Sequence, residues 1–216
     1  MDLQRLISRY PVLYHMAEDE SWESIRRHGL LSTSALLDRF EVEGKERFAI
    51  ESVRRPEIVR VNHPEHGVAL IRDNKPMQEK SLERCLVEMT PREWYEHLNG
   101  RVFFWVKWKR LLKLLGARAY KDRPHLVLEV DPAELLDRHA ERVTLSPINS
   151  GATFAMNPAP RGPDTFRRIA DHPEDKPIVE LSVDYAVPDI INFVRSVSRW
   201  HGTEKLEEVW RRSEKG

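Results

Sequence analysis

Glu180 carries the most chemical promise in this chain. It lies in the run Ile178-Val179-Glu180-Leu181-Ser182-Val183-Asp184, which leads into Val187-Pro188-Asp189. Side-chain alternation along a strand puts Val179, Leu181 and Val183 on one face and Glu180, Ser182 and Asp184 on the other. A polar face of that kind is ordinarily solvated. Held rigidly beside a ribose, however, a carboxylate can accept from a sugar hydroxyl and stabilise the positive charge that develops when a glycosidic bond breaks. Tyr14-His15 forms a second candidate, at the end of an apolar run from Val12. Two arginines stand at strand ends: Arg72, in Leu70-Ile71-Arg72-Asp73-Asn74, and Arg101, before Val102-Phe103-Phe104-Trp105. Consecutive aromatics cannot share one face, so at least one of Phe103, Phe104 and Trp105 belongs to the core. Phe104 is the candidate for stacking on a flat ring. Asn149-Ser150-Gly151-Ala152-Thr153 is a polar turn able to donate backbone and side-chain hydrogen bonds, and Arg161-Gly162 could reach a phosphate.

The most basic stretch contains Lys107, Lys109, Arg110, Lys113, Arg118, Lys121 and Arg123, interleaved with Trp105, Trp108 and Tyr120. Such a run is usually a solvated helix face with its aromatics in the core. The same pattern can bind single-stranded nucleic acid by stacking and phosphate contact. The histidines show no spacing that compels a metal site.

These residues need elements to position them. A short helix is expected over Leu3 to Arg9 and, after Pro11, a strand over Val12 to Met16. A helix carrying Trp22 and Ile25 follows, capped by Asp19 or Ser21 and closed by Gly29 in a left-handed conformation. Ser34 is expected to open a helical stretch that continues through Phe48 and Val53 to Pro56. Ile58 to Val61 and Val68 to Ile71 read as a hairpin. Thr90-Pro91-Arg92-Glu93 and Asp131-Pro132-Ala133-Glu134 are helix starts with a cap, an N1 proline and a glutamate reaching back. Strands are expected at 101–105, 125–130, 143–145, 178–183 and 193–197, with a basic helix from Lys107 to Leu115. The Pro-, Gly-, Asn- and Ser-rich stretch 146–164 is a long ordered loop of the kind that is often functional. The charged tail 201–216 is expected to be helical or frayed.

Hairpins and helices without regular strand–helix alternation indicate an α+β fold with one domain over residues 1–200. No glycine-rich Rossmann or Walker loop is present. With 216 residues, 40% hydrophobic and 32% charged, the chain is long enough for a core and reads as a soluble globular protein. Lys+Arg and Asp+Glu are both 35, so nucleic-acid binding would need a local patch. Cys85 is the single cysteine, which excludes an internal disulfide. No apolar run spans a bilayer and no signal peptide is evident at Met1-Asp2-Leu3-Gln4-Arg5, so the expected location is the cytoplasm.

Leu13-Tyr14-His15 with Ile25-Arg26-Arg27-His28-Gly29-Leu30-Leu31-Ser32, the aromatic strand 102–105, and Val179-Glu180-Leu181-Ser182-Val183 occur in one order. That order resembles the DarT-type DNA ADP-ribosyltransferases. It is also similar to the RNA 2′-phosphotransferases, which share the ADP-ribosyltransferase fold, and to an uncharacterised bacterial family carrying the 72–73, 102–105 and 149–151 elements. The resemblance covers three elements between about Val12 and Ile190. It implies an ADP-ribosyltransferase-like split β-sheet core with flanking helices and NAD as substrate. By the same resemblance Glu180 is the catalytic glutamate and His15 the ribose contact, and the catalytic arginine is Arg72 or Arg101, with Arg72 preferred for its strand-end position before a polar turn. Tyr14, Ser32, Arg101, Phe104, Asn149 and Ser150 complete the implied NAD site. Implied partners are a DNA or RNA acceptor, through Lys107, Lys109, Arg110 and Lys113, and an antitoxin. A transferase of the RNA 2′-phosphotransferase kind and a non-catalytic nucleotide- or partner-binding module are the alternatives.

Overall fold

The computed structural model describes residues 2–213, and the fold is α+β. The N-terminal half opens with α1 (Leu3–Arg9) and β1 (Leu13–Glu18), then α2 (Trp22–His28), β2 (Leu30–Leu31), α3 (Thr33–Arg39) and α4 (Gly44–Glu51). A hairpin of β3 (Val59–His63) and β4 (Gly67–Ile71) follows. Next come α5 (Glu79–Cys85), α6 (Pro91–Asn99), β5 (Arg101–Trp105), α7 (Trp108–Leu115), β6 (Pro124–Val130), α8 (Pro132–His139) and β7 (Val143–Ser146). The chain finishes with β8 (Arg167–Arg168), β9 (Glu180–Asp184), β10 (Ala186–Val187), β11 (Val194–His201) and β12 (Glu204–Arg211).

Local chemistry explains most of these boundaries. Asp2 caps α1 by accepting from the Arg5 N–H, and Thr90 and Glu93 form a reciprocal capping box on α6. Asp131 accepts from the Ala133 and Glu134 N–H groups at the start of α8. Two expected boundaries move. The cap after Gly29 is Ser32, whose hydroxyl accepts from the Ala35 N–H, and Ser34 lies inside α3. The expected long helix is two helices, separated where Glu41 takes φ +54° and Val42 turns into the core. The tail is neither helical nor frayed over residues 204–211: it is β12, paired antiparallel with β11. Residues 214–216 lie outside the described residues.

The main sheet has the strand order β12-β11-β6-β1-β5-β9-β7-β8. Its middle seam is nearly open. β1 pairs with β6 along its full length, from Leu13↔Val130 to Glu18↔His125. Towards β5 it pairs only at Tyr14↔Trp105. A continued ladder would bring the residues after Tyr14 beside those before Trp105, and the strands instead part. Two four-stranded halves therefore meet at one paired position. One face of the joined sheet forms the largest core, with Leu13, Leu126, Leu128 and Val130 from one half and Val102, Phe104, Leu181 and Val183 from the other. On the opposite face α7 packs Leu111 and Leu115 onto Met16 and Val127.

Gly29 locks the start of the chain to its end. Its φ is +82°, and an added Cβ would lie 2.4 Å from the Pro188 Cα. β2 then pairs with β10 directly beside it. Gly29→Ala should destabilise the protein by about 2–4 kcal/mol, through backbone strain and the clash. The midpoint of urea unfolding reads this effect; an unchanged midpoint would mean that α2 and the Pro188 turn separate freely. No helix among the described residues is long and apolar enough to cross a membrane.

Candidate functional site

The parting of β1 from β5 opens a cavity of about 1090 Å³. Its wall takes residues 15–18 from β1, 101–105 from β5, Glu180 from β9, and parts of α7, the β4 end and the 149–155 loop. His15 and Glu180 are 165 positions apart and share this wall.

Glu180 is the first residue of β9 and is 5% exposed. The expected solvated polar face does not exist, because Ser150 lies against Glu180 and the cluster of Trp94, Phe103 and Phe166 covers the sheet on the Ser182 side. Ser182 is buried and shares a 2.8 Å hydrogen bond with the Thr144 hydroxyl. Ser150 donates twice to one carboxylate oxygen of Glu180, from its backbone N–H at 3.1 Å and its hydroxyl at 2.7 Å to Oε2. Oε1 has no hydrogen-bond partner among the described residues. Burial pushes the Glu180 carboxyl up to about 7, against the pull of the Ser150 hydrogen bonds and the positive charges of Arg161 and Arg110.

His15 stands where the ladder fails. Its Nδ1 lies 2.8 Å from the Phe103 carbonyl, which can only accept, so the Nδ1–H donates and Nε2 keeps its lone pair. Desolvation pushes the imidazole down to about 4, with the Arg72 charge adding to the fall. His15 is therefore neutral at pH 7 and presents an acceptor.

The other expected residues divide. Arg72 is on the wall just past β4. Its guanidinium lies 4.5 Å from the Tyr120 ring centroid and its Nε is 3.9 Å from Glu18. That Nε is buried without a hydrogen-bond partner. Ser32 and Asn149 are also on the wall, and Ser32 spends its acceptor on the α3 cap. Arg101 is on the wall but is engaged: Nη1 donates to the His97 carbonyl at 2.7 Å, Asp184 lies 3.5 Å away, and the guanidinium covers the Phe166 ring at 4.7 Å.

Three expectations need correction. Tyr14 is absent from the wall. Its ring packs on Trp108 at 5.2 Å. Phe104 is 1% exposed and backs His15 from the core at 5.8 Å, so its ring is not free to stack. Phe103 and Trp105 are half-buried on the opposite pleat and line the cavity; Trp105 pairs in register with both Tyr14 and Glu180. Arg161, the candidate phosphate contact, is 3% exposed and donates to the carbonyls of Ser150 and Ala152. Of the basic helix, Arg110 and Lys113 line the cavity and Lys107 and Lys109 do not, as a helical stripe requires.

Sequence reasoning missed Glu18 and the network around it. Glu18 is 5% exposed, with Arg72 at 3.9 Å and Arg123 at 3.5 Å. Arg123 also holds Asp73 at 2.7 Å, and Tyr120 donates to Asp73 at 3.0 Å. The one available signal was Glu18 itself, a carboxylate closing an otherwise buried strand. No group of three or more His, Cys, Asp or Glu residues able to hold a metal occurs among the described residues.

Residues 11–194 match DUF7002, described as a family of unknown function. No curated protein matches the chain.

Proposed function

The chain belongs to the DUF7002 family, and we propose that it is an NAD-dependent ADP-ribosyltransferase with an ADP-ribosyltransferase-type split sheet. One observation carries the reading: a neutral His15 and a buried Glu180 line a single cavity at the seam between two half-sheets. In this reading His15 Nε2 accepts from a ribose hydroxyl and orients the sugar. Glu180 Oε1 stabilises positive charge at the anomeric carbon. The C–N bond to nicotinamide breaks, and its electron pair leaves with the neutral nicotinamide. The acceptor's nucleophile forms the new bond to that carbon and gives up its proton to solvent water. Trp105 supplies the stacking surface for nicotinamide. Arg72 is the catalytic arginine of this reading, and among the other cations on the wall Arg110 and Lys113 face the pyrophosphate.

Arg110 and Lys113 also favour a second reading. A pair of cleft-facing cations suits a transferase of the RNA 2′-phosphotransferase kind, which would take an RNA phosphate in the same cleft. A non-catalytic module that binds a nucleotide in the same cavity would leave NAD intact in the assay below. The acceptor in the first reading is a nucleic acid base or another nucleophile-bearing molecule. An antitoxin partner and a cytoplasmic location follow from the same reading, and a single buried free cysteine suits a reducing compartment.

The test is mass spectrometry of NAD after incubation with mixed DNA, RNA and protein. Free nicotinamide with a labelled acceptor is the expected result; loss of a phosphate from RNA with it would select the second reading. NAD at a hundredfold excess over its dissociation constant should also stabilise the fold by about 2.7 kcal/mol. Thermal unfolding with millimolar NAD reads this, and no shift with NAD or ADP-ribose would remove the nucleotide site.

A further inference from the structure

Arg161 poses a question that the proposed reaction leaves open. It is 3% exposed and has no carboxylate within ion-pair distance among the described residues. Its donors go to carbonyls and to one thiol: Nε donates to Ala159 at 3.3 Å, Nη1 to Ser150 at 3.0 Å and Ala152 at 3.2 Å, and the guanidinium also hydrogen-bonds the Cys85 side chain. Its guanidinium also lies 5.9 Å from the Trp94 ring centroid. A buried cation without a paired anion is destabilising. Neutral donors would serve the carbonyls equally well, so the charge itself needs an explanation.

The neighbouring contacts supply one. Ser150, whose carbonyl Arg161 holds, is the residue that grips Glu180 Oε2 with two hydrogen bonds. The clasp is anchored at both ends. Arg161 donates its backbone N–H to the Cys85 carbonyl at 2.8 Å and accepts from the Val87 N–H at 2.9 Å. Thr153, 1% exposed, accepts from the Gln78 N–H at 2.7 Å and donates its own N–H to the Pro76 carbonyl at 3.0 Å. The 150–161 segment therefore cannot drift away from the carboxylate.

We propose that Ser150 and Arg161 are positioning residues for Glu180, fixing one carboxylate oxygen, turning the other to the cavity and favouring the ionised form against the cost of burial. The proposal rests on the reading of Glu180 as the carboxylate that faces the ribose. The charged groups facing Glu180 are Arg161 from this segment and Arg110 from α7, while its cross-strand partners, Trp105 of β5 and Ser146 of β7, are uncharged. Removing either member of the clasp withdraws support from the ionised form alone, so the carboxyl becomes a weaker acid.

The test follows the Glu180 carboxyl by ¹³C NMR titration, assigned by its absence in Glu180→Gln. It is run on the full chain with Ser150→Ala, Ser150→Thr, Arg161→Gln and Arg161→Lys, with melting temperature as the folding control. Ser150→Ala keeps the backbone N–H and should move the titration midpoint up by about one pH unit. Ser150→Thr restores the hydroxyl and should restore the midpoint. Arg161→Gln should also move it up, and Arg161→Lys should leave it closer to wild type. The acid limb of nicotinamide release should shift with the titration. Unchanged midpoints in folded Ser150→Ala and Arg161→Gln would overturn the proposal; if Arg161→Gln fails to fold, Ser150→Ala decides it alone. Shifted midpoints in a protein that releases no nicotinamide would uphold the clasp as the control on Glu180 and sink the NAD reading.

Discussion

Glu180→Gln is expected to slow nicotinamide release by about 10²–10³. Glutamine keeps the shape of the side chain and an oxygen that can accept from the Ser150 N–H and hydroxyl. What it removes is the negative charge. If that charge acts on a ribose carbon that becomes cationic only in the transition state, turnover falls and NAD affinity stays within a few-fold. Matched assays of nicotinamide release and NAD binding separate the two. Equal rates in the two proteins would remove Glu180 from the mechanism. A loss of binding that matches the loss of rate would make Glu180 a ground-state contact.

Much of the fold could be read from the chain, because its signals are local. Thr90-Pro91-Arg92-Glu93 and Asp131-Pro132 start helices where capping chemistry says they must. The hairpin of β3 and β4 follows from two apolar runs about a turn. The tail misled because its glutamates and lysines suggest a solvated helix, whereas β12 is an edge strand on which charged side chains are tolerated. Within the site, Glu180 and His15 stand out by type and context, yet their burial does not. Alternation at 178–184 predicts a polar face, and what covers that face, Ser150 and the cluster of Trp94, Phe103 and Phe166, comes from distant parts of the chain. Choosing among Phe103, Phe104 and Trp105 needed the phase of the pleat, which three consecutive aromatics conceal. Tyr14 was paired with His15 by adjacency, although neighbours on a strand point apart. The Glu18–Arg72–Arg123–Asp73 network joins residues up to 105 positions apart and leaves no local trace.

Acidity should control both rate and stability through Glu180, with opposite signs. The carboxyl must be ionised to act, and its pKa sits at about 7. Nicotinamide release should therefore fall about tenfold for each pH unit below 7 and level off above it. His15, at about 4, is already neutral throughout that range and adds no limb. Stability runs the other way. Because the folded-state pKa lies above the ordinary 4.5 of a glutamate, the native state holds the extra proton between those values. Stability contributed by this group is complete below about 4.5 and is lost as pH rises to 7, by roughly 3 kcal/mol. His15 and His97, both near 4, and His125, near 3, have depressed values, so their stabilising effect grows as pH rises from those values to 6.5 and masks the Glu180 slope in the wild type. The difference between Glu180→Gln and wild type cancels the histidines. That difference should favour the mutant increasingly from pH 5 to pH 8, so that the less active protein melts at the higher temperature. A pH-independent difference in unfolding free energy would mean that Glu180 titrates as an ordinary surface carboxylate, and the acid limb of the rate would then belong to another group.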